Sequence, residues 1–348
     1  MDPRGPAPDG LSALERLGAH SADGFPHLLA ARARTDAAVA DLRAQFDGGA
    51  LAAGATARLD AEDTRADVSV VLFGSWGRRE LTEHSDDDWL LLVEREGEAE
   101  AELAAVREVL GGNERAPGTQ GTFGVASSAE DLVRNVGLGD DTNTNLTRRM
   151  LLLLESVPVH GDDIYRRVWL AVLDVYLAEL RHDRRPPRFF LNDLIRYWRT
   201  IAVDFAGKHR DDETKWGLRN AKLRTSRKLL FAGGLLPALR CTALGRTEVR
   251  SFLCEQLALP ATDRVADAFL AAGQLDAGVR CLGAYDRWIG LVSDTEARAE
   301  LAGLRRVDSS QSVTFREVRR LGTELQNGLN ALLFETGLAP AVREYAIF

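Results

Sequence analysis

The chain has 348 residues, 45% of them hydrophobic and 28% charged, with a formal net charge of −8. That length supports two domains with a full core in each, and the acidic balance excludes a surface that coats nucleic acid generally, leaving only a local basic groove for such a role. Three cysteines (Cys241, Cys254, Cys281) and six histidines show no metal-ligand spacing. They point away from a zinc site and toward reduced thiols in a cytoplasmic protein.

Residues 1–10 (MDPRGPAPDG) lack an apolar signal core and read as a disordered leader. Residues 11–49 carry helical spacing through Leu11, Leu14 and Leu17, then Leu28, Leu29, Val39, Leu42 and Phe46. Pro26 suits the first turn of the second helix, and Gly48-Gly49 stops it. The Ala-rich stretch from Ala50 to Arg65 predicts a further helix feeding a strand.

The most informative stretch runs from Val68 to Val93, VSVVLFGSWGRRELTEHSDDDWLLLV. Val68–Phe73 reads as a buried strand, Gly74-Ser75 as a tight turn, WGRRELTEH as a short helix, and Trp89–Val93 as a second strand opened by Asp86, Asp87 and Asp88. Glycine lets the backbone approach a ligand closely, and free N–H groups at a helix start can face an anion. Alternation along a strand places Asp86 and Asp88 on one face and Asp87 on the other. Two carboxylates beside a phosphate-cradling turn make a site for Mg²⁺ carrying a nucleoside triphosphate. A Gly-Ser turn alone is common, and aspartates at a strand start are often solvated edge charges; the combination in this order carries the reading.

Gly-Ser, ten intervening residues and Asp-x-Asp heading an apolar strand resemble the signature of the DNA polymerase β-type nucleotidyltransferase superfamily. The string G-S-W-G-R-R-E-L-x-x-x-S-D-x-D is more similar still to the N-terminal domain of bacterial protein-PII uridylyltransferases and related stand-alone predicted nucleotidyltransferases. A weaker likeness continues from Thr142 to Val168, with an Arg-containing apolar helix and then His160-Gly161-Asp162. No HD-type hydrolase or PII-like regulatory segment follows. The resemblance implies an α/β nucleotidyltransferase domain with a small mixed sheet (50–185), followed by an all-helical domain (186–348). It implies transfer of a nucleoside monophosphate from an NTP to a hydroxyl acceptor with release of pyrophosphate. Asp86 and Asp88 would hold Mg²⁺ or Mn²⁺, and Gly74 and Ser75 would cradle phosphates. Arg78 or Arg79 would neutralise phosphate charge, with a salt bridge to Glu80 or Glu83 as the alternative. The acceptor implied is a protein side chain, a tyrosine hydroxyl above all, with a tRNA end, a second nucleotide or a small molecule as alternatives.

Beyond Val93 a helix is expected to end at Leu110-Gly111-Gly112, followed by a loop over 112–121 and a third strand over Thr122–Ala126. Ser127 and Glu130 form a capping-box pattern before a helix from Asp131 to Val136. Superfamily members commonly carry a third carboxylate on this strand, and GTFGVASS has none. Glu130 and Asp131 are the candidates to substitute, with Asp87 a further one despite its opposite facing. Without a substitute, the alternative is a catalytically inactive nucleotide-binding regulator or antitoxin-like partner.

From Thr142 onward the pattern is helical, with a Pro-rich break at 181–188. Helices are expected over Phe189–Phe205, Glu248–Leu257, Thr262–Ala272, Val279–Val292, Thr295–Leu304 and Phe315–Phe334. Lys215–Leu230 reads as one helix in which Lys215, Arg219, Lys222 and Ser226 share a stripe. Arg224, Arg227 and Lys228 bring this to six basic residues within fourteen positions. Such a cluster suits an anionic partner, and the resemblance implies that Lys215, Arg219 and Lys222 hold the triphosphate. The alternative is a solvated face paired with Asp211, Asp212 and Glu213. The terminal VREYAIF reads as a strand or extended tail. No apolar run reaches the ~20 residues of a membrane span.

Overall fold

The protein is described by a computed structural model, which covers residues 10–49, 51, 68–94, 99–110, 122–134, 136–137, 139, 141–208 and 215–346. The expected leader up to residue 9, the helix over 50–65 apart from Leu51, the loop over 112–121 and the acidic run 211–213 lie outside the described residues. The chain divides into two compact units, Ala31–Ala178 and Met1–Ala30 with Glu179–Phe348. The expected N-terminal segment 11–49 is therefore shared between them.

In chain order the elements begin with α1 (Ala13–Gly18) and α2 (Pro26–Gly48), then β1 (Val68–Phe73), β2 (Trp89–Val93) and α3 (Glu100–Leu110). They continue with β3 (Val125–Ser128), α4 (Ala129–Arg134), α5 (Asn143–Leu154), β4 (Ser156–His160) and α6 (Asp162–Leu177). The four strands form a small mixed sheet in the order β3-β2-β1-β4. β1 is antiparallel to both β2 and β4, whereas β2 and β3 run parallel. The two central strands are nearly continuous apolar runs because both their faces are covered. One face turns Val68, Val70, Leu72, Trp89 and Leu91 into a core with Phe46 of α2 and Leu103, Val106 and Leu110 of α3. α6 packs against β1 and β4, and its buried Val168, Val172 and Tyr176 lie on its inner side.

Three local expectations are corrected in this unit. The segment after Gly74 is a run of turns rather than a helix; Arg79, at φ +56°, takes a left-handed conformation that ends it. The third strand and its cap lie a little later than expected, so Ser128 rather than Ser127 accepts the Glu130 N–H, at 3.1 Å. The strand β4 falls inside the stretch expected to be helical. Its Pro158 obscures the pattern, yet an edge strand tolerates a residue that cannot donate to the ladder.

The other unit is helical beyond α1 and the start of α2. It contains α7 (Arg188–Lys208), α8 (Trp216–Arg224), α9 (Ser226–Arg240), α10 (Arg246–Leu257), α11 (Ala261–Ala271), α12 (Leu275–Ser293), α13 (Thr295–Gly303) and α14 (Val313–Phe334). The expected single helix over Lys215–Leu230 is two helices. Thr225 (φ −122°, ψ −90°) breaks it, its hydroxyl bonding back to the Ala221 carbonyl at 2.7 Å, while Lys215 stands outside α8 in a left-handed conformation. Ser226 consequently starts the next helix and does not extend the basic stripe. Within the expected strand or extended tail, Val342–Ala346 is instead a π-helical turn, and residues 347–348 lie outside the described residues. All three cysteines are free, and burial pushes the Cys241 thiol up to about 12. Among the described residues no helix is long and apolar enough to cross a membrane.

Two buried aspartates serve as helix caps supplied from elsewhere in the chain. Asp263 of α11 accepts the Leu14 N–H at 3.0 Å, and Asp286 of α12 accepts the Leu28 N–H at 2.8 Å. The second matters more, because Phe25-Pro26 offers no side-chain acceptor for the first turn of α2. Burial raises the Asp286 pKa, although the Leu28 and His27 N–H groups and the His27 charge pull the other way. A carboxyl whose folded pKa is raised contributes most below the ordinary aspartate value of about 3.9, and that contribution is lost as pH rises through the folded value. Asp286→Asn keeps an acceptor and removes the charge, so its melting temperature relative to wild type is expected to be higher at pH 7.5 than at pH 4. Thermal melts at the two values check the sign; Asp286→Ala should lose about 1 kcal/mol at pH 4 and less than that at pH 7.5.

Candidate functional site

The site candidates of the sheet unit converge at one end of the sheet. The β1–β2 ladder continues one step past the strand ends, with the Phe73 N–H donating to the Asp88 carbonyl at 2.8 Å. The turn following Phe73 is thereby set next to the aspartates preceding Trp89. Gly74 has φ +68°, a conformation that glycine adopts without strain, and a Cβ there would stand 3.5 Å from Asp88 Oδ2. The Asp88 carboxylate therefore lies against the bare backbone of the turn. Asp88 is half-buried and Asp86 is exposed. Asp87 points the other way, into the core, where its Oδ1 accepts the Trp76 indole N–H at 3.0 Å. The expected alternation of the three aspartates is what the burial pattern displays, and Asp87 is occupied as a buried acceptor.

The turn closes on itself through the Arg78 N–H to the Gly74 carbonyl at 3.0 Å and the Glu80 N–H to the Ser75 carbonyl at 2.8 Å. It is also pressed against the start of β4. A Cβ on Gly77 would come within 1.9 Å of the Glu155 carbonyl oxygen, so only glycine allows this approach. Arg78, mostly buried, bonds Glu80 at 2.8 Å and the buried Glu155. Arg79 lies nearer the surface, 3.3 Å from the half-exposed Asp36 of α2. The two arginines thus differ. Arg78 is enclosed between two buried carboxylates, while an exposed pair such as Arg79–Asp36 is worth only ~0–1 kcal/mol and exchanges readily for another anion.

The third strand supplies no carboxylate at this end. Parallel pairing of Leu90 with Val125 puts Phe123 level with Asp88, and the Gly124 N–H bonds the Trp89 carbonyl at 2.8 Å. The Phe123 ring meets the Phe73 ring at 5.5 Å. Glu130 and Asp131 follow Ser128, which pairs with Val93 at the opposite end of β2. Five residues of strand, about 16 Å, separate that level from Asp88. Neither can complete a metal site with Asp86 and Asp88; this overturns their candidacy as substitutes. Glu130 instead pairs with Arg134 one turn along α4.

Among the described residues no three His, Cys, Asp or Glu side chains come together to hold a metal ion. Two carboxylates beside a bare turn do fit Mg²⁺ that arrives on a triphosphate. That ion takes one or two protein carboxylates and fills its octahedron with phosphate oxygens and water. A resident, all-protein cage does not fit.

In the helical unit, Lys215 precedes α8 while Arg219 and Lys222 lie on it one turn apart. Arg224 bonds Asn220 at 2.6 Å and packs its stem on Gly322 of α14. Burial, with Arg224 nearby, lowers the Lys228 pKa. The Arg-containing apolar helix noted in the sequence holds Arg149, not singled out there, as a fully buried guanidinium paired to Asp141 at 2.8 Å through both arms and bonded to Tyr176 at 3.1 Å. Burial opposes its charge, but Asp141 and Tyr176 more than offset this and its pKa is raised. An Arg inside the apolar run of α5 was the available signal.

No protein-family model matches the chain, and no curated protein matches it significantly.

Gly77→Ala is expected to force the turn off β4 and to cost ~1–3 kcal/mol of stability. Urea unfolding of the variant checks this; a midpoint equal to wild type would mean that the close approach is not maintained.

Proposed function

We propose that the sheet unit is a nucleotidyltransferase domain that moves a nucleoside monophosphate from an NTP to a hydroxyl acceptor, releasing pyrophosphate. The observation that carries this reading is the Asp88 carboxylate set against the bare Gly74 backbone, with Asp86 exposed beside it. The Gly-Ser turn, the spacing to Asp-x-Asp and the small mixed sheet are the features that the superfamily resemblance calls for. Asp86 and Asp88 hold the divalent cation of the Mg²⁺·NTP complex. Bound there, the cation neutralises phosphate charge and lowers the pKa of an attacking hydroxyl. Gly74 leaves room for the phosphates, Ser75 offers its hydroxyl, and Arg79 adds positive charge by exchanging Asp36 for a phosphate. Arg78 is assigned to holding the turn rather than to the nucleotide, because two buried carboxylates already surround it. The acceptor favoured is a protein side-chain hydroxyl, in line with the uridylyltransferase likeness and the net acidity of the chain.

A second reading, a nucleotide-binding regulator without turnover, draws support from the third strand, which has Phe123 level with Asp88 and no carboxylate of the kind that members of the resembled superfamily commonly carry on it. In a two-metal site that carboxylate acts chiefly on the chemical step, so its absence weakens transfer more than binding.

Incubation with each labelled NTP and Mg²⁺, alone and with added lysate, separates the two. The enzyme reading expects pyrophosphate and labelled protein, with Asp88→Asn lowering the rate at least ~100-fold at saturating Mg²⁺ and leaving the fold intact. Transfer by Asp88→Asn at the wild-type rate would defeat the metal assignment. Tight NTP binding with no turnover on protein, RNA or small-molecule acceptors would establish the regulator instead.

A further inference from the structure

We propose that the buried hydrogen bond between Trp76 and Asp87 is a positioning link that keeps the Gly74–Ser75 turn in register with the Asp86 and Asp88 carboxylates. This deepens the reading of the site given above and rests on it. The bond joins the two halves of the site at their centres. Trp76 is the residue after Gly74-Ser75, and Asp87 sits between the two outward aspartates. The backbone ladder between these segments runs as far as the Phe73 N–H to Asp88 carbonyl bond. Beyond it the chains diverge, one into the turn and the other into Ser85–Asp87.

Asp87 is only 7% exposed and faces the cluster that contains Trp76, Leu81, Trp89 and Leu103. A carboxylate there costs far more to bury than an apolar side chain, so space-filling does not explain it. Its Oδ1 lies 3.0 Å from the indole nitrogen, the single donor that a tryptophan side chain carries. The indole is 3% exposed and wedged in the core, a rigid plate with one polar point. Fixing that point fixes the turn. An apolar residue at position 87 would pack as well yet leave the turn free to rock by the ~1 Å that matters for reacting groups.

Three variants test the link. Trp76→Phe removes the donor and keeps most of the ring, Asp87→Leu removes the acceptor, and Asp87→Asn keeps an acceptor without the charge. Amide hydrogen exchange is read at Phe73, Arg78 and Glu80, whose N–H groups bond the Asp88, Gly74 and Ser75 carbonyls. Trp76→Phe and Asp87→Leu should each speed exchange at all three amides by about tenfold or more relative to amides in the middle of β1 and β2. Asp87→Asn should restore wild-type exchange, and the double variant should exchange no faster than either single one. In the transfer assay the same two variants should lower kcat/KM for NTP by about 10- to 100-fold, with Asp87→Asn again restoring it. Additive effects, wild-type exchange in Trp76→Phe, or loosening confined to the turn with Phe73 unaffected would each overturn the link. Should Asp87→Leu fail to fold, Trp76→Phe and Asp87→Asn decide the matter between them. A wild type that neither binds nor transfers nucleotide would defeat the reading of the site, and the exchange comparison would still decide the link.

Discussion

One backbone hydrogen bond, from the Phe73 N–H to the Asp88 carbonyl at 2.8 Å, ties together everything else at the candidate site. It extends the antiparallel pairing of β1 and β2 by a single step, so that a turn leaving one strand and three acidic residues entering the other lie side by side. The pairing itself is secured by burial. Val70, Val71, Leu72, Leu90, Leu91 and Leu92 are all at most 1% exposed, so a shift in register by one residue would exchange the core-facing sets of both faces. Burial of the central strands therefore decides where the carboxylates stand, and no feature local to Asp86–Asp88 could do so alone.

The turn is then held by three contacts. Gly77 closes on the Glu155 carbonyl, Arg78 spans Glu80 and Glu155, and the Leu81 N–H bonds the Thr35 hydroxyl of α2 at 3.0 Å. The first two contacts meet at Glu155, the residue just before β4, and the third draws on α2. A loop that binds phosphate through backbone groups needs such support, because pre-organised donors act only if they do not relax when the charge arrives. The mostly buried Arg78, between Glu80 and Glu155, and the more exposed Arg79, beside Asp36, stand in different surroundings, a difference that adjacent arginines in a sequence do not reveal.

Much of this site was legible before any coordinates. The valine-rich run, Gly74-Ser75 and the Asp-x-Asp at the head of an apolar strand follow from alternation and glycine chemistry, and the structure has β1, the turn and β2 at those residues. What escaped was long-range. That Arg78 meets Glu155 depends on β4, which Pro158 disguised inside a stretch of helical pattern. That Glu130 and Asp131 stand at the wrong end of the sheet depends on the parallel register of β3 with β2, and sequence spacing carries no information on strand order. The break at Thr225, which divides the basic stretch, comes from one residue with non-helical torsions among good helix formers. The buried ion pair of Arg149 with Asp141 was hidden for a similar reason, since an Arg in an apolar run is conspicuous but its partner is not.

The central claim is that the turn and the aspartates form one metal–nucleotide site at a single end of the sheet. Paramagnetic broadening of backbone amide signals by substoichiometric Mn²⁺·ATP tests it most directly. The account predicts that the amides of residues 74–76 and 86–88 broaden first and together, that those of Glu130 and Asp131 stay sharp, and that Asp88→Asn abolishes the effect. Broadening centred on α4, or uniform weak broadening that Asp88→Asn leaves unchanged, would contradict it.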